Sequence, residues 1–196
     1  NTNIIKHVCL SIAAMMIGAQ AQAATWTTSA DIRERYQTFN NFNFNSAVNN
    51  DSWEVDTRVY LKAKADFDNG LTVFLQPQAV YIKNHSNTNG VSNGTQEFTQ
   101  ADLLQAYLQY DMGDFSIKLG RQQLVYGDQR LLGHLGWKDV ARTFDGAKVM
   151  YKAGSVKLDV FAVHPSDIGA MTPTTAAPQA KSLVTWEDRR LIGAYG

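Results

Sequence analysis

The fold is indicated most clearly by the stretch from 53 to 67, which reads Trp53-Glu54-Val55-Asp56-Thr57-Arg58-Val59-Tyr60-Leu61-Lys62-Ala63-Lys64-Ala65-Asp66-Phe67. Apolar and charged residues alternate along it, and no helical period fits the pattern. A period of two is typical of a β-strand whose two faces meet different surroundings. The apolar face of this strand would carry Trp53, Val55, Val59, Leu61, Ala63, Ala65 and Phe67. The charged face would carry Glu54, Asp56, Arg58, Lys62, Lys64 and Asp66.

The same alternation predicts eight strands and no helix after residue 24. The predicted strands are 25–38, 53–67, 71–83, 101–112, 115–123, 144–152, 156–164 and 187–196. The connections between them switch regularly between tight turns, at 68–70, 113–114 and 153–155, and long loops, at 39–52, 84–100, 124–143 and 165–186. The tight turns place Gly beside Asn, Asp or Ser, as hairpins require. Short turns on one side and long loops on the other are typical of outer-membrane barrels. The sequence therefore predicts an all-β, antiparallel transmembrane β-barrel with its N-terminus in the periplasm.

A soluble antiparallel sandwich or a lipocalin-like barrel would also show alternating strands. The aromatic residues favour the membrane barrel, because they fall near the ends of the predicted apolar faces. These residues are Trp26, Tyr36, Trp53, Phe67, Tyr81, Tyr110, Phe115 and Tyr151. Aromatic girdles near strand ends mark the two interfaces of a membrane barrel. Glu34 is the one residue that interrupts the apolar face of the first predicted strand.

The first 23 residues have the pattern of a secretory signal peptide. Lys6 and His7 precede an apolar run from 8 to 18, and Ala21-Gln22-Ala23 offers small residues to a signal peptidase. The run is shorter than the roughly 20 residues that a membrane-spanning helix needs. We therefore predict a signal peptide at 1–23 and a barrel portion at 24–196. Because the chain starts without Met and stops at Gly196 inside a patterned run, we expect further strands and a barrel larger than eight strands.

Charge and cysteine content exclude several classes of function. The chain has 18 Lys and Arg against 18 Asp and Glu, so no net charge attracts it to nucleic acid. Cys9 is the only cysteine and lies in the predicted signal peptide. The mature chain would then have no disulfide, no cysteine zinc site and no cysteine nucleophile.

No motif for catalysis, a metal or a cofactor stands out. Residues 66–70 resemble the start of a calcium loop but lack the downstream Glu, and a hairpin turn explains them better. His164, Ser166 and Asp167 crowd into one short stretch, which does not suit the geometry of a catalytic triad. We therefore predict no catalytic residue, no metal and no cofactor.

The candidate functional surface is the charged face itself. The alternation places on it Asp31, Arg33, Arg35, Glu54, Asp56, Arg58, Lys62, Lys64, Lys118, Lys148, Lys157 and Asp159. In a lipid-spanning barrel this face lines the lumen. Two interpretations stay open: the charges select solutes in a water-filled pore, or they pair with one another and fill the barrel. The excess of basic residues on this face favours anions.

One segment resembles a known family. The run from 120 to 133 reads Gly120-Arg121-Gln122-Gln123-Leu124-Val125-Tyr126-Gly127-Asp128-Gln129-Arg130-Leu131-Leu132-Gly133, and Trp137, Arg142 and Phe144-Asp145-Gly146 follow it. This pattern resembles the alginate export family of outer-membrane porins. The resemblance implies a monomeric barrel of roughly 18 strands, of which this chain would hold the N-terminal portion, with an arginine-rich, electropositive conduit.

The resemblance also implies roles for individual residues. Arg121, Arg130 and Arg142 match the arginines of the motif and would line the substrate path, together with Arg33, Arg35, Arg58, Lys62 and Lys64 from the alternation. Tyr126, Asp128 and Asp145 would fix the loop. The same motif residues are equally compatible with a purely structural role in folding an extracellular loop.

These observations lead to one hypothesis and two alternatives. We expect a channel in the outer-membrane lipid for passive passage of polar, anionic solutes or polysaccharide, with no nucleic-acid partner. The first alternative is a barrel with a closed lumen that acts as an enzyme or as an adhesion or anchoring scaffold. The second is a complete eight-stranded barrel, which the lack of a final Phe or Trp after Tyr195 argues against.

Overall fold

The computed structural model describes residues 24–40, 51–88, 91–166 and 190–196. The predicted signal peptide at 1–23 lies outside the described residues. The described residues form eight strands: β1 Ala24–Phe39, β2 Ser52–Phe67, β3 Leu71–Thr88, β4 Val91–Met112, β5 Phe115–Gln122, β6 Phe144–Ala153, β7 Val156–Pro165 and β8 Leu191–Tyr195. Each strand pairs with the next in the chain to form one antiparallel sheet. The prediction of an all-β, antiparallel fold with about eight strands is confirmed.

No helix in the described ranges is long and apolar enough to cross a membrane.

The strand register sorts the side chains onto an apolar face and a polar face. One row of register partners across the whole sheet is apolar throughout: Trp26, Ala65, Val73, Leu108, Leu119, Ala147, Ala162 and Ile192. The next row is mostly polar: Thr25, Asp66, Thr72, Gln109, Lys118, Lys148, Phe161 and Gly193. Glu34 does lie on the apolar face, where its carboxylate accepts a hydrogen bond from Thr57 at 2.5 Å.

The aromatic residues form two levels on the apolar face. Phe67, Tyr110, Phe115 and Tyr151 lie beside the tight turns, and Trp26 is at the same end of the sheet. Tyr36, Trp53 and Tyr81 lie toward the other end. Trp26 and Tyr36 are separated by ten residues of one strand, which corresponds to roughly 33 Å along the strand and about 25 Å along the membrane normal at a typical barrel tilt. This spacing matches the apolar band of an outer-membrane barrel.

The long loop predicted at 84–100 is wrong. β3 continues to Thr88 and β4 begins at Val91, with Asn84 opposite Gln96 and Asn87 opposite Ser92. Alternation fails there because this hairpin extends beyond the aromatic Tyr81 and is polar on both faces. A strand without an apolar face leaves no period-two signal in the sequence.

One irregularity in the sheet positions the site described below. The register between β3 and β4 shifts at Pro77, so that Gln76 pairs with Gln105 while Pro77 pairs with Leu103. The extra residue is Leu104, which is fully buried and forms a small core with Tyr60 and Ala141. Pro77 has no N–H to donate, which suits a bulged position in a ladder.

The apolar cores of the described residues lie under the segment that joins β5 to β6, residues 123–143, here called the β5–β6 segment. Its first residues pack Leu124 against Phe144, Phe161 and Val163. Its last residues pack Ala141 against Tyr60 and Leu104. Phe144, Phe161 and Tyr60 belong to the polar-face register. The β5–β6 segment, predicted as a long loop, is therefore folded back over the polar face.

Candidate functional site

Two arginines of β1 hold the β5–β6 segment against the sheet. Arg33 donates to the Trp137 carbonyl at 2.8 Å and to the Asp139 carboxylate at 2.7 Å. Arg35 donates to the same two groups at 3.1 and 2.8 Å. Both guanidinium groups also donate to the Asp56 carboxylate of β2, at 3.0 and 2.6 Å. The segment is thus tied to the sheet by charge-assisted hydrogen bonds, which are stronger than neutral ones.

Arg58 of β2 adds a third attachment. It donates to the carbonyls of Gly136 at 2.8 Å and Lys138 at 3.1 Å. Its guanidinium lies 4.3 Å from the centre of the Tyr60 ring. Arg58 stands directly opposite Arg33 in the β1–β2 register, so the three arginines converge on one stretch of the segment. We call Arg33, Arg35 and Arg58 the arginine clamp.

The positive charge of the arginine clamp is balanced by carboxylates. Asp56 is 0% exposed, and Asp31 lies 3.8 Å from Arg58. Oxygens of Glu54, Asp56 and Asp139 lie within 4.8 Å of one another, and the two β1 arginines bind into this group. Three guanidinium groups therefore face four carboxylates. The structure brings the predicted pore-lining residues Arg33, Arg35 and Arg58 together, but in a contact that leaves no excess positive charge.

The Trp137 side chain stacks on the clamp. Its ring centre lies 5.1 Å from the guanidinium carbon of Arg35 and 5.8 Å from that of Arg33. Arginine over an indole face is a favourable cation–π arrangement. Trp137 is nevertheless 72% exposed, so the ring covers the guanidinium groups without being buried itself.

The docking of the segment is expected to depend on pH through Asp139. Burial and the neighbouring Asp56 carboxylate raise the pKa of Asp139 from 3.8 to about 6, against the opposing effect of Arg35 and Arg33. Because the raised pKa belongs to the docked state, docking is strongest below the ordinary Asp value and weakens as the pH rises through about 6. A spin label at Lys138→Cys should therefore become more mobile between pH 5 and pH 7.5.

The matched control for this pH effect is Asp139→Asn, in which the label should show the same mobility at both values. An unchanged pH response in Asp139→Asn would show that another group controls docking. Lys138 suits the label because its side chain is exposed and only its backbone carbonyl contacts the clamp.

A second set of contacts joins the two halves of the Gly-Arg-Gln and Phe-Asp-Gly motifs. β5 and β6 pair so that Gly120 faces Gly146, Arg121 faces Asp145 and Gln122 faces Phe144. Arg121 binds both oxygens of Asp145, at 2.9 and 3.1 Å. It also donates to the Leu103 carbonyl at 3.1 Å. The motif is therefore a junction that fixes the start of β6 against the end of β5.

The comparison with protein families agrees with this geometry. The family model for alginate export matches residues 25–192, which is most of the chain. The chain belongs to the alginate export family. No curated protein and no solved structure matches the chain significantly. The resemblance seen in the motif is thereby confirmed, and with it an outer-membrane β-barrel of the export or porin type. In such a barrel the apolar face meets lipid and the polar face meets the lumen.

The position of Arg121 in this alginate export barrel differs from that of the clamp. Arg121 shares the register parity of Leu119 and Ala147, which is that of the apolar face. Its charge is balanced by Asp145 and by Asp102, whose carboxylate lies 3.4 Å away. Its predicted place on the substrate path stays a prediction, and its contacts are those of a strand junction.

The other motif arginines lie on the surface of the β5–β6 segment. Arg130 is 86% exposed and lies 3.9 Å from the equally exposed Asp128. Arg142 is exposed, and its backbone N–H donates to the His134 carbonyl at 2.7 Å. Neither arginine makes a side-chain contact with the clamp within the described residues. Their predicted roles, and that of Asp128 in fixing the loop, stay predictions.

Tyr126 connects the start of the segment to β7. Its hydroxyl donates to Asp159 at 2.8 Å, and its ring stacks on those of Phe161 and Tyr195, with centres 5.6 and 4.7 Å away. Burial and the Asp159 carboxylate raise the pKa of Tyr126, so the hydroxyl keeps its proton and remains a donor. These contacts join the start of the β5–β6 segment to β7 and β8, and the loop-fixing role of Tyr126 stays a prediction.

The remaining predicted residues are on the polar face near the tight turns. Lys64 pairs with Asp66 at 2.8 Å. Lys62 is exposed and has the parity of the polar face.

The stretch considered for a catalytic triad begins at the end of β7. His164 stands opposite Asp145 in register, on the apolar face, whereas Ser166 contacts the Thr143 hydroxyl. Asp167 lies outside the described residues.

Proposed function

We propose that this barrel is a channel for passive passage of polar, anionic solutes or acidic polysaccharide across the outer membrane. Membership of the alginate export family supports an export or porin-type role in that membrane. The observation that carries the finer proposal is the polar face itself, which holds charged residues at several levels between the two aromatic girdles. Charged rings on a lumen wall set the ion preference of a pore.

The sheet is proposed to form one wall of a larger, monomeric barrel. Within the described residues β1 and β8 each pair with only one neighbour. Unpaired strand edges are not tolerated in lipid, because each free N–H and C=O costs several kcal/mol there. Additional strands that join these two edges would close the barrel and set its diameter.

The orientation is proposed from the lengths of the connections. The tight turns at 68–70, 113–114 and 153–155 would face the periplasm, which places the N-terminus of β1 there as well. The β3–β4 hairpin would then extend outside the cell. Labelling of Gly94→Cys on intact cells with a membrane-impermeant maleimide tests this orientation, and absence of labelling in intact cells with normal labelling in lysed cells contradicts it.

The proposed transport is tested on the full-length protein in a planar bilayer. Under a salt gradient, the reversal potential should show anion preference. A short oligogalacturonate should block the current at lower concentration than a neutral maltooligosaccharide of equal length. A pore with cation preference, or one blocked equally by both sugars, would contradict the anionic substrate.

One observation favours a second candidate, a barrel with a closed lumen that serves as a scaffold. The β5–β6 segment lies over the polar face and is anchored by two apolar cores and the arginine clamp. A segment held in this way reduces the free cross-section of the lumen. The scaffold predicts a folded barrel that stays silent in the bilayer at all voltages, whereas the channel predicts stable conductance.

A further inference from the structure

Two lysines on the polar face stand side by side, away from the arginine clamp. Lys118 of β5 is the direct register partner of Lys148 of β6. Both follow the polar-face parity, which the β6–β7 register continues to Phe161. Like charges placed directly opposite each other on neighbouring strands are destabilising unless something compensates them. We call Lys118 and Lys148 the lysine pair.

In the described residues, one carboxylate, that of Asp159, lies within ion-pair distance of the lysine pair. Lys148 lies 3.0 Å from Asp159 Oδ2, and the same oxygen accepts the hydrogen bond from Tyr126. The Lys118 ammonium lies 4.2 Å from the centre of the Tyr107 ring. In the part of the chain that the structure describes, Lys118 has no carboxylate within ion-pair distance. The pair therefore carries one positive charge more than its surroundings neutralise.

The excess positive charge of the lysine pair distinguishes it from the arginine clamp. The clamp arginines bind carboxylates and the backbone of the β5–β6 segment, so most of their donors are already used. Two donors without a partner, Nε of Arg33 and Nε of Arg58, are buried. Lys118 offers three ammonium donors, and the contact shown for its ammonium group among the described residues is the one with the Tyr107 ring. If the lumen attracts anions, the charge available to them lies at Lys118 and Lys148 rather than at the arginines.

We propose that the lysine pair is an anion-binding site on the solute path, and that it binds the carboxylate of an acidic sugar. This inference rests on the proposed transport of anionic solutes. Both hydrogen bonds to Asp159 go to Oδ2, which leaves Oδ1 as an acceptor for a hydroxyl of the same sugar. The site thus combines donors for a carboxylate with an acceptor for a hydroxyl.

Lysine suits a site that must release its ligand. An ammonium group binds a carboxylate as a point charge, without the bidentate geometry that makes arginine hold it in one orientation. Conduction requires binding that is favourable enough for entry and weak enough for exit. The Tyr107 ring keeps Lys118 in place, because a cation over an aromatic face is favourable, and Tyr107 is itself stacked on Phe74 with ring centres 4.9 Å apart.

The test uses block of the full-length channel by a short oligogalacturonate in a planar bilayer. Lys118→Gln and Lys148→Gln should each raise the half-blocking concentration, and the double variant should raise it about tenfold or more, as expected for loss of charge-assisted hydrogen bonds. The matched control is Lys157→Gln, a lysine of the same polar face beside the β6–β7 turn. It should change the half-blocking concentration about twofold at most, as expected for a distant charge in screening salt.

Charge-keeping variants separate binding from folding. Lys118→Arg and Lys148→Arg should retain most of the block, and every variant is first checked for the compact, heat-modifiable form on a gel. If the double variant does not fold, the two single variants decide the question.

Each outcome bears on a different proposal. Equal shifts in all three lysine variants would reflect only the overall field of the lumen and would overturn the lysine pair as a site. An unchanged block in Lys118→Gln and Lys148→Gln would also overturn it, while the transport proposal stands. A wild-type channel that is silent, or that oligogalacturonate does not block, contradicts the proposed transport itself.

Discussion

Replacement of Gly120 by alanine is expected to keep most of the protein from reaching its folded, heat-modifiable form. Gly120 has a φ of +117°, where residues with a side chain are strained. A Cβ built there would clash with the Ala106 carbonyl oxygen of β4 and crowd the Tyr107 Cα. The atoms that the added Cβ would meet belong to the backbone of β4, so no change of side-chain rotamer can relieve the contact.

The expected loss for Gly120→Ala is at least about 3 kcal/mol in the free energy of unfolding, from backbone strain and the clash together. Urea titration of the detergent-folded protein, followed by tryptophan fluorescence, measures it. Gly154→Ala is the matched control, because Gly154 also has a positive φ, +57°, but has nothing within 4 Å of the added Cβ. It should cost only about 1 kcal/mol. Equal urea midpoints for the two variants would contradict the close approach of β5 to β4 at Gly120.

The sequence predicted the strands well where each strand keeps one apolar face along its whole length. β2, β6 and β7 begin and end within one or two residues of their predicted bounds, since their alternation persists to the turn. The ends of β3 and β4 at their shared hairpin were missed because residues 84–100 are mostly polar, without alternation. Pairing between two strands then carries the structure, and pairing is not visible in one strand's composition.

The contacts of the candidate site could be predicted less well from the sequence. Alternation could place Arg33, Arg35 and Arg58 on one face, but their partners in the β5–β6 segment lie 78 to 106 residues away. No local pattern marks Asp139 as the residue that completes the group. For Arg121 the signal was present: it is odd-numbered in β5 like Leu119, and the alternation alone places it with the apolar face. The motif, rather than the alternation, led to its predicted place in the pore.

The lysine pair could also not be predicted from the sequence alone. Lys118 and Lys148 could each be assigned to the polar face, but their direct opposition depends on the β5–β6 register. Across the long β5–β6 segment, this register brings Arg121 opposite Asp145, and the two side chains hydrogen-bond to each other. A shift of β6 by one residue against β5 would move Lys148 to the other face while Lys118 keeps its place.

Release of the arginine clamp is expected to free the β5–β6 segment and to raise the channel conductance severalfold. The variant is Arg33→Gln with Arg35→Gln, which removes four hydrogen bonds to Trp137 and Asp139. Hydrogen bonds to charged groups contribute about 1.5–3 kcal/mol each, net of the exchange with water. Even a net loss of about 2.8 kcal/mol shifts the ratio of docked to undocked segment roughly a hundredfold. Single-channel recording measures the conductance, and trypsin cleavage after Lys138 reports the freed segment.

Two further variants make this result decisive. Because Asp56 is fully buried, loss of both arginines leaves its charge unpaired, and adding Asp56→Asn to the double variant removes that cost while the segment stays released. Arg130→Gln is the matched control, since Arg130 lies on the same segment but is exposed and only loosely paired with Asp128. Its conductance and its cleavage after Lys138 should equal those of the wild type. If the triple variant folds, becomes sensitive to trypsin at Lys138 and yet conducts like the wild type, the docked segment does not constrict the lumen.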